Sequence, residues 1–223
     1  MKKGENMEAK KVDRKEMEKL KEMLILYSSA LKIVNTKIEI LNENYKNSTY
    51  NPIEHIKARI KSLDSIYEKL ERRGVPATID SIRENIEDIA GIRIICAFSK
   101  DIYELANLLK AQSDMEFIRE IDYITSPKPS GYRSYHMVVN VPVYTPKKME
   151  YIKVEIQIRT AAMDFWACLE HKAKYKYDGE IPENLSNEFK ECATKISELD
   201  KKMFVIQEKI HNANKKKNGN STK

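Results

Sequence analysis

Glycine is scarce in this chain, with six in 223 residues, and tryptophan occurs once. That excludes a collagen-like or glycine-rich low-complexity polymer. The seven prolines fall mostly in the second half, which leaves long helices open to the first. The three cysteines, Cys96, Cys168 and Cys192, form no CxxC pair. So sparse and odd a set argues against a disulfide framework and a structural zinc site. No apolar run approaches the roughly 18 residues of a membrane span. The opening MKKGENMEAKKVDRKEMEK lacks the apolar core of a secretory signal. The expectation is therefore a protein of the reducing cytoplasm, away from membranes. Charge of one sign is not in large excess either: 40 Lys plus Arg against 34 Asp plus Glu leave +6 at pH 7. A duplex-DNA binder shows a denser basic stripe, whereas this surplus suits an anionic small ligand such as a nucleotide. What is abundant is charge of both signs, 33% of residues against 41% hydrophobic, which still allows a folded core.

Helical periodicity dominates residues 1–45. Met17, Leu20, Leu24, Tyr27, Leu31, Val34, Ile38, Leu41 and Tyr45 recur at alternating spacings of three and four, a heptad seam. Pro52, capped by Asn51, suits the first turn of a second helix running to about Arg73, where Gly74-Val75-Pro76 stops it. Residues 89–98 (IAGIRIICAF) are short, apolar and β-branched, hence a buried strand. A helix over DIYELANLLKAQ follows, capped by Ser99 or Asp101. Residues 117–124, 133–144 and 151–158 read as strands, the last two joined by the turn TPKKME. From Thr160 the pattern is helical to about Tyr177. Asp178-Gly179 is a turn, and a last helix runs to His211. That helix carries a second seam: Phe189, Cys192, Ile196, Leu199, Met203, Ile206 and Ile210. The architecture is α+β, or mixed α/β, with long helices at both ends. Either seam can pack on the protein's own sheet or on another subunit.

Several residues are placed for chemistry. In YIKVEIQI the aliphatic side chains share one strand face, and Lys153, Glu155, Gln157 and Arg159 share the other. That second face is either solvated or the lining of a polar cleft. Asp88 leads into the buried strand that Arg93 interrupts. Carboxylates on two neighbouring strands can grip one Mg²⁺ together with substrate phosphates. On a helix over this region, Arg59, Ser62, Ile66 and Lys69 lie near one face with Lys61 and Ser65 adjoining, and clustered cations can clamp a triphosphate. The loop Pro127-Lys128-Pro129-Ser130-Gly131-Tyr132 presents a lysine and an aromatic ring, with His136 beyond. A ring at a loop edge can stack on a base.

The ordered set RIKSLDSIYEKL, EDIAGIRII, PKPSGYRSYH and KVEIQIRT followed by MDFWACLEHKAKY resembles the synthetase domain of the RelA/SpoT family, and more narrowly its small alarmone synthetases. The likeness covers roughly residues 20–210. It implies a nucleotidyltransferase-like mixed sheet flanked by helices, in one synthetase domain over residues 1–223. That domain has a helical arm at 1–50, a C-terminal helix at 184–213 for oligomerisation, and a polar tail at 214–223. It also implies transfer of pyrophosphate from ATP to the ribose 3′-hydroxyl of GDP or GTP. Residue by residue, Asp88 and Glu155 match the Mg²⁺ ligands, and Glu155 the group that activates the 3′-hydroxyl. Arg59 and Arg93 match arginines around adenine, and Lys61 and Lys69 cations on the ATP phosphates. Lys128, Tyr132 and His136 match contacts to the guanine nucleotide. Ser65, Gln157 and Arg159 are weaker matches.

Long family members carry a hydrolase with a His-Asp motif. None of His55, His136, His171 and His211 is followed by Asp, so a synthetase alone is expected. Relatives of this size form tetramers through their terminal helices, which suits two seams and leaves room for pppGpp or single-stranded RNA as an anionic regulator. The rival readings are a basic nucleotide- or single-stranded-RNA-binding protein with catalysis secondary or lost, and a helical scaffold.

Overall fold

The computed structural model describes residues 14–174, 177, 179 and 181–219. Residues 1–13 of the expected arm, the expected turn residue Asp178 and tail residues 220–223 lie outside that range. The elements in order are α1 (Arg14–Lys46), β1 (Ile53–Ile60), α2 (Leu63–Arg72), α3 (Ile79–Asn85), β2 (Ala90–Cys96), α4 (Ser99–Lys110), β3 (Glu116–Asp122), β4 (Tyr135–Tyr144), β5 (Met149–Thr160), α5 (Ala161–Lys174) and α6 (Glu183–Gly219). The strands form one sheet in the order β1-β2-β5-β4-β3. β2 and β5 pair in parallel and the other neighbours antiparallel.

The alternation read in β5 is realised. Ile152, Val154, Ile156 and Ile158 are buried on the face that α1 crosses. Ile92 and Ile94 of β2 and Met137, Val139 and Val141 of β4 join them, as do Ile102, Leu105 and Leu109 of α4. Each such side chain contributes about 1.5–3 kcal/mol by leaving water. The opposite face of β2 and β5 is thereby left to polar residues.

The expected helix over 52–73 is instead β1 followed by α2. Asn51 does not cap a helix: its Oδ1 accepts the Ile53 N–H at 2.9 Å and opens a strand. β1 pairs with β2 from Ile53↔Cys96 to Ile60↔Ala90. Ile53, Ile56 and Ile60 are spaced like a helix stripe, but sheet pairing outweighs that local preference. The true helix start is Ser62, whose hydroxyl accepts from Ser65 N. α3 was not expected, being only 7 residues long. Thr78 caps it through Ser81 N.

The two seams have different fates. Leu20, Tyr27, Leu31, Val34 and Ile38 are buried in the core, together with Met23, Leu26 and Ala30. The stripe of α1 is thus wide enough to face a sheet. On α6 Phe189 and Ile196 are half-buried, but from Leu199 onward the seam stays open: Leu199 is 60% exposed, Met203 52%, Ile206 40% and Ile210 58%. α6 also continues to Gly219, past the expected end at 213. Among the described residues no helix is long and apolar enough to cross a membrane.

Candidate functional site

The polar face of the sheet forms a cleft lined among others by Lys57, Arg59, Asp88, Arg93, Glu155 and Gln157. Register explains the convergence. Arg59 of β1 lies opposite Gly91 of β2, and Gly91 opposite Glu155 of β5; Lys57, Arg93 and Gln157 form the next row. With a side-chain period of two, both rows point the same way. Arg59 therefore reaches the cleft from a strand, not from the helix face it was expected to share with Lys69.

Asp88 sits at the mouth of β2. The Lys61 N–H donates to Ile89 O at 2.8 Å, so β1 delivers Lys61 alongside. Lys61 Nζ and Lys69 Nζ each donate to Asp88, at 2.8 Å to Oδ2 and Oδ1 respectively. Burial pushes the Asp88 carboxyl up, but the two ammonium bonds outweigh it and hold it below the ordinary aspartate value. Its neighbour Glu87 turns away to Arg119 of β3.

Glu155 is the second carboxylate. Its Oε1 lies 3.1 Å from His136 Nδ1, and its Oε2 accepts from Gln157 Nε2 at 2.8 Å. Burial raises its pKa, the bonds from His136 and Gln157 lower it more, and the net direction is down. His136 continues outward: its Nε2 lies 2.9 Å from the Tyr132 hydroxyl. Tyr132 also accepts from Arg159 Nη2, and the Arg159 guanidinium carbon stands 4.9 Å from its ring centre. Lys128 Nζ lies over both Tyr132 and Tyr123, at 5.0 and 4.7 Å. The expected loop-edge ring is thus a partly covered member of a cationic and aromatic cluster. Arg159, a weaker match in the sequence, is its hub and only 4% exposed.

The loop carrying Lys128 closes on itself, with Gly131 N donating to Lys128 O at 2.8 Å and Lys128 N to Tyr132 O at 3.1 Å. Gly131 has φ +89°, and a Cβ there would stand 2.5 Å from the Ala193 Cβ of α6. Only glycine combines that backbone with that approach. Gly131→Ala is expected to cost about 1–3 kcal/mol through strain. Unchanged thermal melting would mean that loop and helix part easily.

The structure gathers Arg59, Asp88, Arg93, Glu155 and Gln157 in one cleft, adds Lys61 and Lys69 through Asp88, and adds Lys128, Tyr132, His136 and Arg159 through Glu155. Ser65 stays apart, its hydroxyl bonded to Ser62 in the cap of α2. Sequence reasoning missed Lys57, Arg119 and Asp164. Lys57 alternates with Arg59 in IEHIKARI, a period-two signal that could have revealed it. Among the described residues no group of three or more His, Cys, Asp or Glu gathers as a metal site. Two ionised carboxylates on one cleft are nonetheless what Mg²⁺ takes when substrate phosphates and water complete its shell. Asp88 and Glu155 fit that ion.

A family model described as a region found in RelA / SpoT proteins matches residues 58–180. GTP pyrophosphokinase YwaC of Bacillus subtilis is 46% identical over 195 residues, covering 87% of this chain and 93% of that protein. The crystal structure of small alarmone synthetase 1 from Bacillus subtilis bound to its product pppGpp superposes with a TM-score of 0.81 at 36% identity, over 86% of this chain and 98% of that one. The same enzyme bound to AMPCPP gives a TM-score of 0.73 at 33% identity, over 87% of this chain and 98% of the other.

Proposed function

Because this chain belongs to the RelA/SpoT family, we propose that it is a small alarmone synthetase, transferring pyrophosphate from ATP to the ribose 3′-hydroxyl of GDP or GTP. The products are ppGpp or pppGpp, and AMP. The observation that carries this reading is the cleft itself: two carboxylates held ionised among cations, one of them wired to an aromatic and cationic loop. Binding alone would not call for both carboxylates.

In this reading Arg59 and Arg93 hold the adenine end of ATP, and Lys61 and Lys69 leave Asp88 for its phosphates. Lys128, Tyr132 and His136 hold the guanine nucleotide, with the Tyr132 ring against the base. Asp88 and Glu155 hold Mg²⁺, which supplies charge neutralisation on the phosphates when bound. The acceptor's 3′-oxygen attacks the β-phosphorus of ATP, and the bond from that phosphorus to the oxygen bridging the α-phosphate breaks. AMP leaves with the electron pair. The hydroxyl proton passes to Glu155, which its bonds to His136 and Gln157 keep ionised and aimed. Such a reaction rests on alignment and charge placement more than on covalent catalysis. The cytoplasm, where both nucleotides occur, is its setting.

Incubation of the purified protein with labelled ATP and GDP, resolved by chromatography, tests the reading. Labelled ppGpp with equal AMP is expected. Tight binding of both nucleotides with no AMP released would instead support a nucleotide-binding protein.

We further propose a homotetramer, supported by the open stripe of Leu199, Met203, Ile206 and Ile210 on α6. Uncovered, such a stripe invites association. The α1 seam adds nothing to this argument, since it is spent on the protein's own sheet. An assembly through α6 also brings its lysines together from several copies, which gives pppGpp or single-stranded RNA a place to bind. Leu199→Glu is expected to break the assembly with the fold intact, whereas Leu31→Glu, at a buried position, should unfold the protein. Light scattering decides the first point: a wild-type mass near 26.0 kDa would sink the tetramer.

A further inference from the structure

We propose that Asp164 is a positioning residue that couples the two halves of the cleft, so that occupancy of the donor site tightens the acceptor site. The inference rests on the synthetase reading and concerns a residue to which that reading gives no role.

Asp164 lies in the first turn of α5, which follows β5 with no intervening loop. The junction is firmly built. Buried Thr160 accepts the Met163 N–H on its hydroxyl at 3.2 Å and donates to Asp200 of α6 at 2.8 Å. Asp164 is thereby swung back over the strand end. A single oxygen, Oδ1, accepts from Arg93 Nη1 at 3.2 Å and from Arg159 Nη1 at 3.1 Å.

The two guanidiniums differ in freedom. Arg159 is buried and donates in addition to Ser134 Oγ at 3.3 Å, to Gln157 Oε1 at 2.9 Å and to Tyr132. Arg93 has a side chain 25% exposed and a buried Nε with no hydrogen-bond partner among the described residues. It is the arginine that a ligand can recruit. A path of direct contacts runs from Arg93 through Asp164, Arg159, Tyr132 and His136 to Glu155.

Both guanidiniums draw on the charge of one carboxylate, so each weakens the other's hold on it. When the donor nucleotide draws Arg93 away, Arg159 is the charged partner left on Asp164, beside the weak Cys168 Sγ–H contact to Oδ2 at 3.7 Å, and its bond strengthens. Arg159 then holds the Tyr132 hydroxyl and Gln157 more firmly, which orders the acceptor side before its ligand arrives. By linkage the acceptor must favour the donor equally. A merely neutralising Asp164 predicts otherwise: its loss would lower stability and both affinities but leave their mutual dependence unchanged.

Calorimetry on the full chain separates these. GDP affinity is measured with and without a saturating non-hydrolysable ATP analogue, in the wild type, Asp164→Asn and Asp164→Glu. The wild type should bind GDP at least about threefold tighter with the analogue present. Asp164→Asn should bring that ratio close to one, and Asp164→Glu should restore it. A wild-type ratio of one overturns the proposal, as does an Asp164→Asn protein that keeps the wild-type ratio. Should Asp164→Asn fail to fold, Arg93→Lys serves instead: it keeps the charge but loses the fork, and an undiminished ratio there overturns the proposal equally. Wild-type protein that binds neither nucleotide would sink the synthetase reading, whereas binding of both with a ratio of one sinks this inference alone.

Discussion

Glu155→Gln is expected to lower turnover by about 10²–10⁴-fold, the usual contribution of a positioned base, while the sheet stays folded. The amide keeps the shape of the carboxylate and can still accept from Gln157, but it cannot take the proton of the acceptor hydroxyl or balance the cations around it. Asp88→Asn should fall by a comparable factor, with a larger stability cost. Lys61 and Lys69 both bond to Asp88, and its loss leaves two ammonium groups facing each other. Turnover and thermal melting of the purified variants check both. Near-normal turnover in either would remove that residue from the machinery.

The pH dependence follows with a definite sign. Asp88 and Glu155 both have pKa values lowered from 3.8 and 4.5. Burial opposes that direction, and the bonds from Lys61 and Lys69 in one case, and from His136 and Gln157 in the other, overcome it. Their contribution to stability is fully present above those ordinary values and is lost as pH falls through the lowered ones. The acid limb of kcat/KM that Glu155 controls should therefore lie below about pH 4.5. A limb near neutrality would assign the titrating base elsewhere.

Tyr132→Ala is expected to weaken guanine-nucleotide binding by about 1–3 kcal/mol, the worth of a base stacked on an aromatic ring. ATP binding should change much less. Tyr132→Phe divides the effect: it keeps the ring but gives up the bonds with Arg159 and His136. If stacking carries the affinity, Phe retains most of it; if the hydroxyl network does, Phe falls toward Ala. Calorimetry with each nucleotide alone reads both variants. Equal losses for ATP and GDP would count against an acceptor role for this ring.

What the sequence determined by itself was what short-range periodicity encodes. β5 was legible because a strand with one buried face alternates residue by residue, and Ile152 to Ile158 against Lys153 to Arg159 does so without exception. The α1 seam was equally plain, and so was the polar character of the face bearing Glu155. Tertiary structure decided what those patterns meet. Ile53, Ile56 and Ile60 fit a helical stripe, and only β2, some thirty residues later, turns that segment into an edge strand. Arg59 and Lys57 then move from a helix surface to the cleft wall. The seams of α1 and α6 have the same heptad spacing, yet one is covered by the protein's own sheet and the other lies open. Spacing specifies that a face is apolar and leaves its partner unspecified. Asp164 reads in the sequence only as an acidic residue in the first turn of a helix. Its contact with Arg159 is only five residues long, but its contact with Arg93, 71 residues away, depends on the parallel pairing of β2 with β5, which no local periodicity records.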